Sequence, residues 1–258
     1  MARKLRIQYP GAVYHVMNRG DRREAIFRDA RDYACFLQTL AEACAKARWQ
    51  VHAWCLVPNH FHLVLETPQP TLVAGMKWLL GTYTGRFNRR HRQFGHLFSG
   101  RYKALLVDGG KPGYLKTVCD YVHLNPVRAG LIRPAQSLDH FRWSSYPLYL
   151  APPRQRPAWL RVDRLLGEWR IPKDSAAGRR AFAQRLEGRR REDLGQRIGA
   201  SSAGGSWGTP GFDRNCWNRW CQCRARAIVA RRCRQRWRCR RSGLSRTGSR
   251  RWAGRRRI

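Results

Sequence analysis

Residues 1–150 of the 258-residue chain predict an α+β fold: a ferredoxin-like, RRM-like antiparallel sheet with helices on one face. Three observations carry that expectation. Segments with alternating apolar residues interleave with segments whose apolar residues recur every three to four positions. Their order, strand–helix–strand–strand–helix–strand, is the split β-α-β arrangement. Two of the strands are separated only by Pro58-Asn59, which makes them a hairpin. Such a sheet leaves its second face open for a substrate.

The elements follow in order. Ala12–Met17 reads as a strand ending in the turn Asn18-Arg19-Gly20-Asp21. Asp29 to about Arg48 reads as a helix with Tyr33, Phe36, Leu37 and Leu40 on its apolar stripe. Val51–Val57 and Phe61–Thr67 are the hairpin strands, and Leu72 to about Arg90 is a second helix carrying Met76, Leu79, Leu80, Tyr83 and Phe87. Tyr102–Val107 is the fourth strand and Tyr114–Leu124 a third helix. Beyond this domain, 151–200 reads as a Pro/Arg linker and a small helical appendage, with Trp159, Leu160, Leu165, Leu166, Trp169, Phe182 and Leu186 as its apolar positions.

Residues 201–258 change character. They hold 17 arginines against one acid, Asp213, and so carry +16 of a total formal charge of +36. The tail is expected to be an irregular, disordered basic arm. A zinc module fits less well, because Cys216, Cys221, Cys223, Cys233 and Cys239 form no paired CxxC units. An out-of-frame translation of a GC-rich gene is the third reading. The net charge points to a polyanionic partner, nucleic acid first. No apolar run reaches the roughly 20 residues of a membrane span, and the basic start lacks the apolar core of a signal peptide. The expected location is therefore cytoplasmic and nucleoid-associated. There Cys35, Cys44, Cys55 and Cys119 would be reduced and buried.

The chemistry is concentrated at two places. In His60-Phe61-His62 the alternation of a strand turns Phe61 to the core and both imidazoles to the opposite face, where they can share one divalent cation. About sixty residues on, Tyr121 and Asn125 lie one helical turn apart. A phenol beside an amide oxygen that completes a metal site suggests a tyrosine nucleophile acting on phosphate, with the cation stabilising the charge that develops. Each piece alone has a plainer explanation. A lone His-x-His is more often surface or core histidine, a lone Tyr is usually core, and Asn before Pro126 is a common helix stop.

Together, Val57-Pro58-Asn59-His60-Phe61-His62-Leu63-Val64 and Tyr121-Val122-His123-Leu124-Asn125-Pro126-Val127-Arg128-Ala129-Gly130-Leu131 resemble the HUH motif and the nucleophile segment of single-tyrosine transposases. Tyr14-His15-Val16-Met17-Asn18-Arg19-Gly20, Gly95–Lys103 and Trp143-Ser144-Ser145-Tyr146 extend the resemblance to the REP-associated tyrosine transposases. It covers about residues 1–150 closely and the appendage loosely, and is lost beyond about 200. The resemblance implies an HUH nuclease core: a metal-dependent endonuclease and strand transferase acting on single-stranded DNA at hairpin ends of palindromic repeats. It implies Tyr121 as nucleophile through a 5′-phosphotyrosine, His60 and His62 as ligands of Mg2+ or Mn2+, and Asn125 as third ligand. A monomer is favoured over a homodimer. His123 points away from the Tyr121–Asn125 face and is expected to be structural or a DNA contact.

Two other classes compete: a non-catalytic nucleic-acid-binding module on the same fold, and a metal-dependent hydrolase, which would need more acids than Glu66. Candidate DNA contacts are an arm of Arg3, Lys4 and Arg6, the helix-end arginines Arg86, Arg89 and Arg90, and Arg101 and Lys103 at the fourth strand.

Overall fold

A computed structural model of the chain describes residues 6–107, 113–133 and 135–202, the last nine as backbone only. They fall within one unit, Met1–Phe212; a second unit, Asp213–Ile258, lies outside the described residues, as does nearly all of the tail expected from residue 201.

Four strands, β1 (Ala12–Arg19), β2 (Gln50–Val57), β3 (His60–Thr67) and β4 (Lys103–Val107), form one antiparallel sheet in the order β2-β3-β1-β4. Helices α1 (Ala30–Ala47) and α2 (Leu72–His91) pack on one face. The expected α+β architecture is present, with α1 and α2 on the predicted face. Tyr14 and Val16 of β1, Trp54 and Leu56 of β2, and Phe61, Leu63 and Leu65 of β3 form the core with Phe36, Leu40, Met76, Leu79 and Tyr83 of the two helices. Asp29 caps α1 by accepting from the backbone N–H of Arg31 and Asp32 at 2.9 and 3.2 Å. At Gly75 the two layers touch: a Cβ there would stand 2.2 Å from the Trp49 indole, so only glycine fits.

The structure differs from expectation in three places. β1 runs on through Asn18 and Arg19, assigned to a turn by sequence, because they pair with Phe61 and His60. β2 carries an irregularity between Val51 and Ala53 that turns His52 onto the second face, where it meets Glu66 at 3.0 Å. The second face itself is not open. Val13, His15, Ala53, Cys55, His62 and Val64 are all buried there. An apolar second face needs a cover, and α3 (Tyr114–His123) supplies it with Leu115, Val118, Cys119 and Val122.

Further helices complete this layer: α4 (Asn125–Arg128), α5 (Tyr146–Leu150), α6 (Asp163–Glu168) and α7 (Ala176–Ser202). Phe182 of α7 stacks on Tyr149 of α5 at 5.0 Å and contacts His123, so the appendage packs directly against the layer that bears α3. The outer edge of β2 is paired by backbone from two loops, at Ser144 and Leu160, which leaves no open edge there for another strand. His123 is a core residue, buried and 2.9 Å from Ser145 Oγ.

Candidate active site

The sheet and α3 converge at the His60 end of β3. His62 is buried, and its Nδ1 lies 3.0 Å from Nε2 of His15, its neighbour across β1. With Nδ1 occupied by that contact, Nε2 is the nitrogen left to serve as a ligand; it lies 3.3 Å from the Asn125 amide nitrogen. His60 is oriented the same way, its Nδ1 donating to Asn59 Oδ1 at 2.7 Å. Burial, with Arg19 nearby, holds the His60 pKa down to about 4. Burial also lowers His62 far below an ordinary imidazole, reinforced by the positive neighbours Arg19 and Arg128. Both rings are therefore neutral at pH 7, the form that ligates metal.

Asn125 arrives from a broken helix. α3 stops at His123, and Pro126, lacking an N–H, begins the separate turn α4. Leu124 keeps helical angles across the break and its N–H still bonds Asp120 O at 2.9 Å, so Asn125 stays below Tyr121. Its Oδ1 is buried and meets no regular hydrogen-bond donor among the described residues. A sealed amide oxygen beside two neutral imidazoles fits a cation. Among the described residues no group of three His, Cys, Asp or Glu side chains is placed to hold a metal ion, here or elsewhere, so the third donor at this cluster is the Asn125 amide.

The Tyr121 ring lies at this cluster, not in the apolar interior. Its centroid is 5.7 Å from that of His62 and 5.9 Å from that of His15, both edge-to-face. The Arg128 guanidinium covers the ring at 4.7 Å. The four residues singled out by sequence, His60, His62, Tyr121 and Asn125, are thus brought together by β3, α3 and α4.

Residues 8–125 match the family of IS200-like transposases. Over that segment the chain is similar to IS200-like transposases. None of the curated proteins matches the chain. Among solved structures, a REP-associated tyrosine transposase bound to a REP hairpin is 14% identical, with a TM-score of 0.49, over 64% of this chain and 93% of that one. A candidate transposase from Deinococcus radiodurans R1 is 19% identical, with a TM-score of 0.33, over 47% of this chain and 95% of that one.

The predicted DNA contacts divide. Arg86 forks onto Glu42 at 3.0 and 2.9 Å and donates to Thr39 at 2.7 Å, while Arg90 is held by Asp29 and Asp32. Both fasten α2 to α1 and its cap, on the sheet face away from His62. Arg6 lies over the Tyr102 ring at 3.7 Å and donates to its carbonyl. Arg89, Arg101 and Lys103 are exposed. Arg3 and Lys4 lie outside the described residues.

Sequence reasoning did not single out His15 or Arg128. A histidine within the apolar run Ala12–Met17 was the signal for the first. Phe94 is fully exposed on the loop after α2. That loop is pinned by Asn88 donating to Gly95 O at 3.0 Å, and its outgoing limb pairs with Arg19 and Asp21, beside the His60 turn.

Proposed function

We propose that the transposase domain cleaves and rejoins single-stranded DNA at hairpin ends through Tyr121. The observation that carries this reading is the packing of the Tyr121 ring against His62, whose outward nitrogen meets Asn125. Tyr121 Oη attacks phosphorus and a P–Oη bond forms. The bond from phosphorus to the 3′ oxygen breaks as the phenol gives up its proton to solvent, and the 3′ oxygen takes up a proton in turn and leaves as a hydroxyl. The polarity, a 5′-phosphotyrosine, follows from the family resemblance. Because the ester keeps the energy of the broken bond, a 3′-hydroxyl of another strand reverses the step without a nucleotide cofactor.

His60, His62 and Asn125 would hold Mg2+ or Mn2+, and two imidazoles favour the softer Mn2+. The bound cation supplies charge neutralisation at the target phosphate. His15 fixes which nitrogen His62 presents. Exposed Arg101 and Lys103 offer phosphate contacts, and Phe94 offers a stacking surface for an unpaired base.

A purely binding module would display aromatic side chains on the central strands for stacking. Here the central positions are His15 and His62, both buried.

The test is incubation with labelled single-stranded hairpins and Mn2+, followed by denaturation and a search for a protein–DNA adduct. The reading expects an adduct lost in Tyr121→Phe and strongly reduced in His60→Ala. Binding without cleavage would support the module, and cleavage without an adduct would support a hydrolase using water.

A further inference from the structure

The segment that carries Tyr121 spans a break, and α7 grips it on both sides. Before the break, Arg189 donates to Asp120, the residue preceding Tyr121, at 2.6 Å. After it, Asp193 takes the Arg128 Nε and Nη2, each at 3.1 Å, in a two-pronged pair. That grip fixes the plane of the guanidinium lying 4.7 Å over the Tyr121 ring. Arg189 and Asp193 are four residues apart and so share one face of α7. The pairs have crossed polarity: acid on α3 with base on α7, base on α4 with acid on α7. A slip of α7 by one turn would set like charges together, so the pairs specify register.

We infer that α7 is a positioning clamp for Tyr121, acting through Asp193–Arg128 and Arg189–Asp120. This rests on Tyr121 being the nucleophile. Without a tie across Leu124, α3 and α4 are two short helices joined by one residue, and the Tyr121 ring, Asn125 and Arg128 can each move against His62. The Arg128–Asp193 pair is partly solvent-exposed, at 31% and 23%, whereas Arg189, at 40%, meets an Asp120 only 2% exposed. The exposed pair adds little to global stability, while removing Arg189 leaves a buried carboxylate unpaired and lowers the melting temperature as well. What this pair of pairs supplies is orientation, and a small misplacement of a reacting group is enough to slow a reaction by about a hundredfold.

The experiment uses the full chain carrying Asp193→Ala, Arg189→Ala, both together, Asp193→Glu or Arg128→Lys. The rate of adduct formation at saturating hairpin, the hairpin Kd and the melting temperature are measured for each. In parallel, 3-fluorotyrosine at position 121 reports the ring's surroundings by fluorine NMR, with no need of catalysis. The clamp predicts a single narrow fluorine line in the parent that splits or broadens in Asp193→Ala and Arg189→Ala. It predicts an adduct rate lowered about tenfold to a hundredfold, with Kd within about twofold and most of the rate regained in Asp193→Glu. Arg128→Lys keeps the charge but loses the fork, and is expected to behave like Asp193→Ala. Unchanged rates and an unchanged fluorine line overturn the clamp. So does a rate loss that only follows the loss of folded protein, with Asp193→Glu no better than Asp193→Ala. If the parent forms no adduct, the nucleophile reading fails, and the fluorine line still decides whether α7 holds the ring.

Discussion

At the residue scale, the site depends on which atom each donor presents. His62 can offer Nε2 outward because His15 occupies Nδ1, and Asn125 offers an oxygen buried without a regular donor. Removing that oxygen in Asn125→Ala should weaken Mn2+ binding about tenfold or more, and His15→Ala about tenfold to a hundredfold. Titration calorimetry with Mn2+ alone checks both. Equal affinity in parent and Asn125→Ala would remove the amide from the ligand set. The sequence was legible here to the extent that chemistry follows local spacing: His60 and His62 share a face by strand alternation, and Tyr121 stands above Asn125 by helical pitch. His15 and Arg128 were not legible in that way. Their roles depend on cross-strand register and on contacts between distant elements, which spacing does not encode.

At the element scale, α3 combines a buried carboxylate with the proposed nucleophile next to it. Burial pushes Asp120 up to about 6, against the opposing pull of Arg189 and Lys116. An unfolded aspartate ionises near about 3.9. Between these values the folded chain holds a proton that the unfolded chain has released, so stability is highest below about pH 4 and falls as pH rises towards 6. The size is of order 3 kcal/mol. Asp120→Asn removes this dependence, so the variant's melting temperature should gain on the parent's as pH rises from 4 to 6. Parallel melting curves across that window would show that Asp120 is not the group responsible. The elements themselves were legible almost to the residue, since α1, α2 and the β2–β3 hairpin follow from apolar period and turn chemistry. The cover of the second sheet face was not foreseen, although Val13, Ala53, Cys55 and Val64 are apolar. Their pattern was read for one buried face, and the irregularity at His52 hid the alternation of the other.

The arginines of the α2 region separate two effects that composition alone merges into a single positive charge. Arg101 and Lys103 are exposed towards the His60 end of the sheet, whereas Arg86 and Arg90 are paired with Glu42, Asp29 and Asp32. Removing one phosphate-binding side chain should lower the slope of log K against log salt by about one. Arg101→Ala and Lys103→Ala are expected to do so. Arg86→Ala and Arg90→Ala should leave the slope unchanged and lower the melting temperature instead. Hairpin binding measured at a series of salt concentrations decides between the two pairs, and a reduced slope in Arg86→Ala would return that residue to the DNA path.

At the scale of the whole molecule, one chain contains the complete constellation. The Tyr121 ring contacts His15 and His62 of its own sheet, and α7 ties both flanks of Tyr121 to the same chain. A tyrosine so held is expected to serve the imidazoles beneath it. Mixing Tyr121→Phe with His60→Ala tests this directly, because each variant retains what the other lacks. If the nucleophile works on its own chain, the mixture gives no more adduct than the two variants assayed apart, at any protein concentration. If chains exchanged their tyrosine helices in a symmetric dimer, random pairing would restore roughly a quarter of the parental sites. The restored adduct would also rise with concentration, as dimer formation requires. Breaking the ties in Asp193→Ala and Arg189→Ala should then change the outcome only where α7 is what confines the helix. Rescue that appears in the mixed variants only after those substitutions would assign the confinement to α7, and rescue in the unaltered background would contradict action on the same chain.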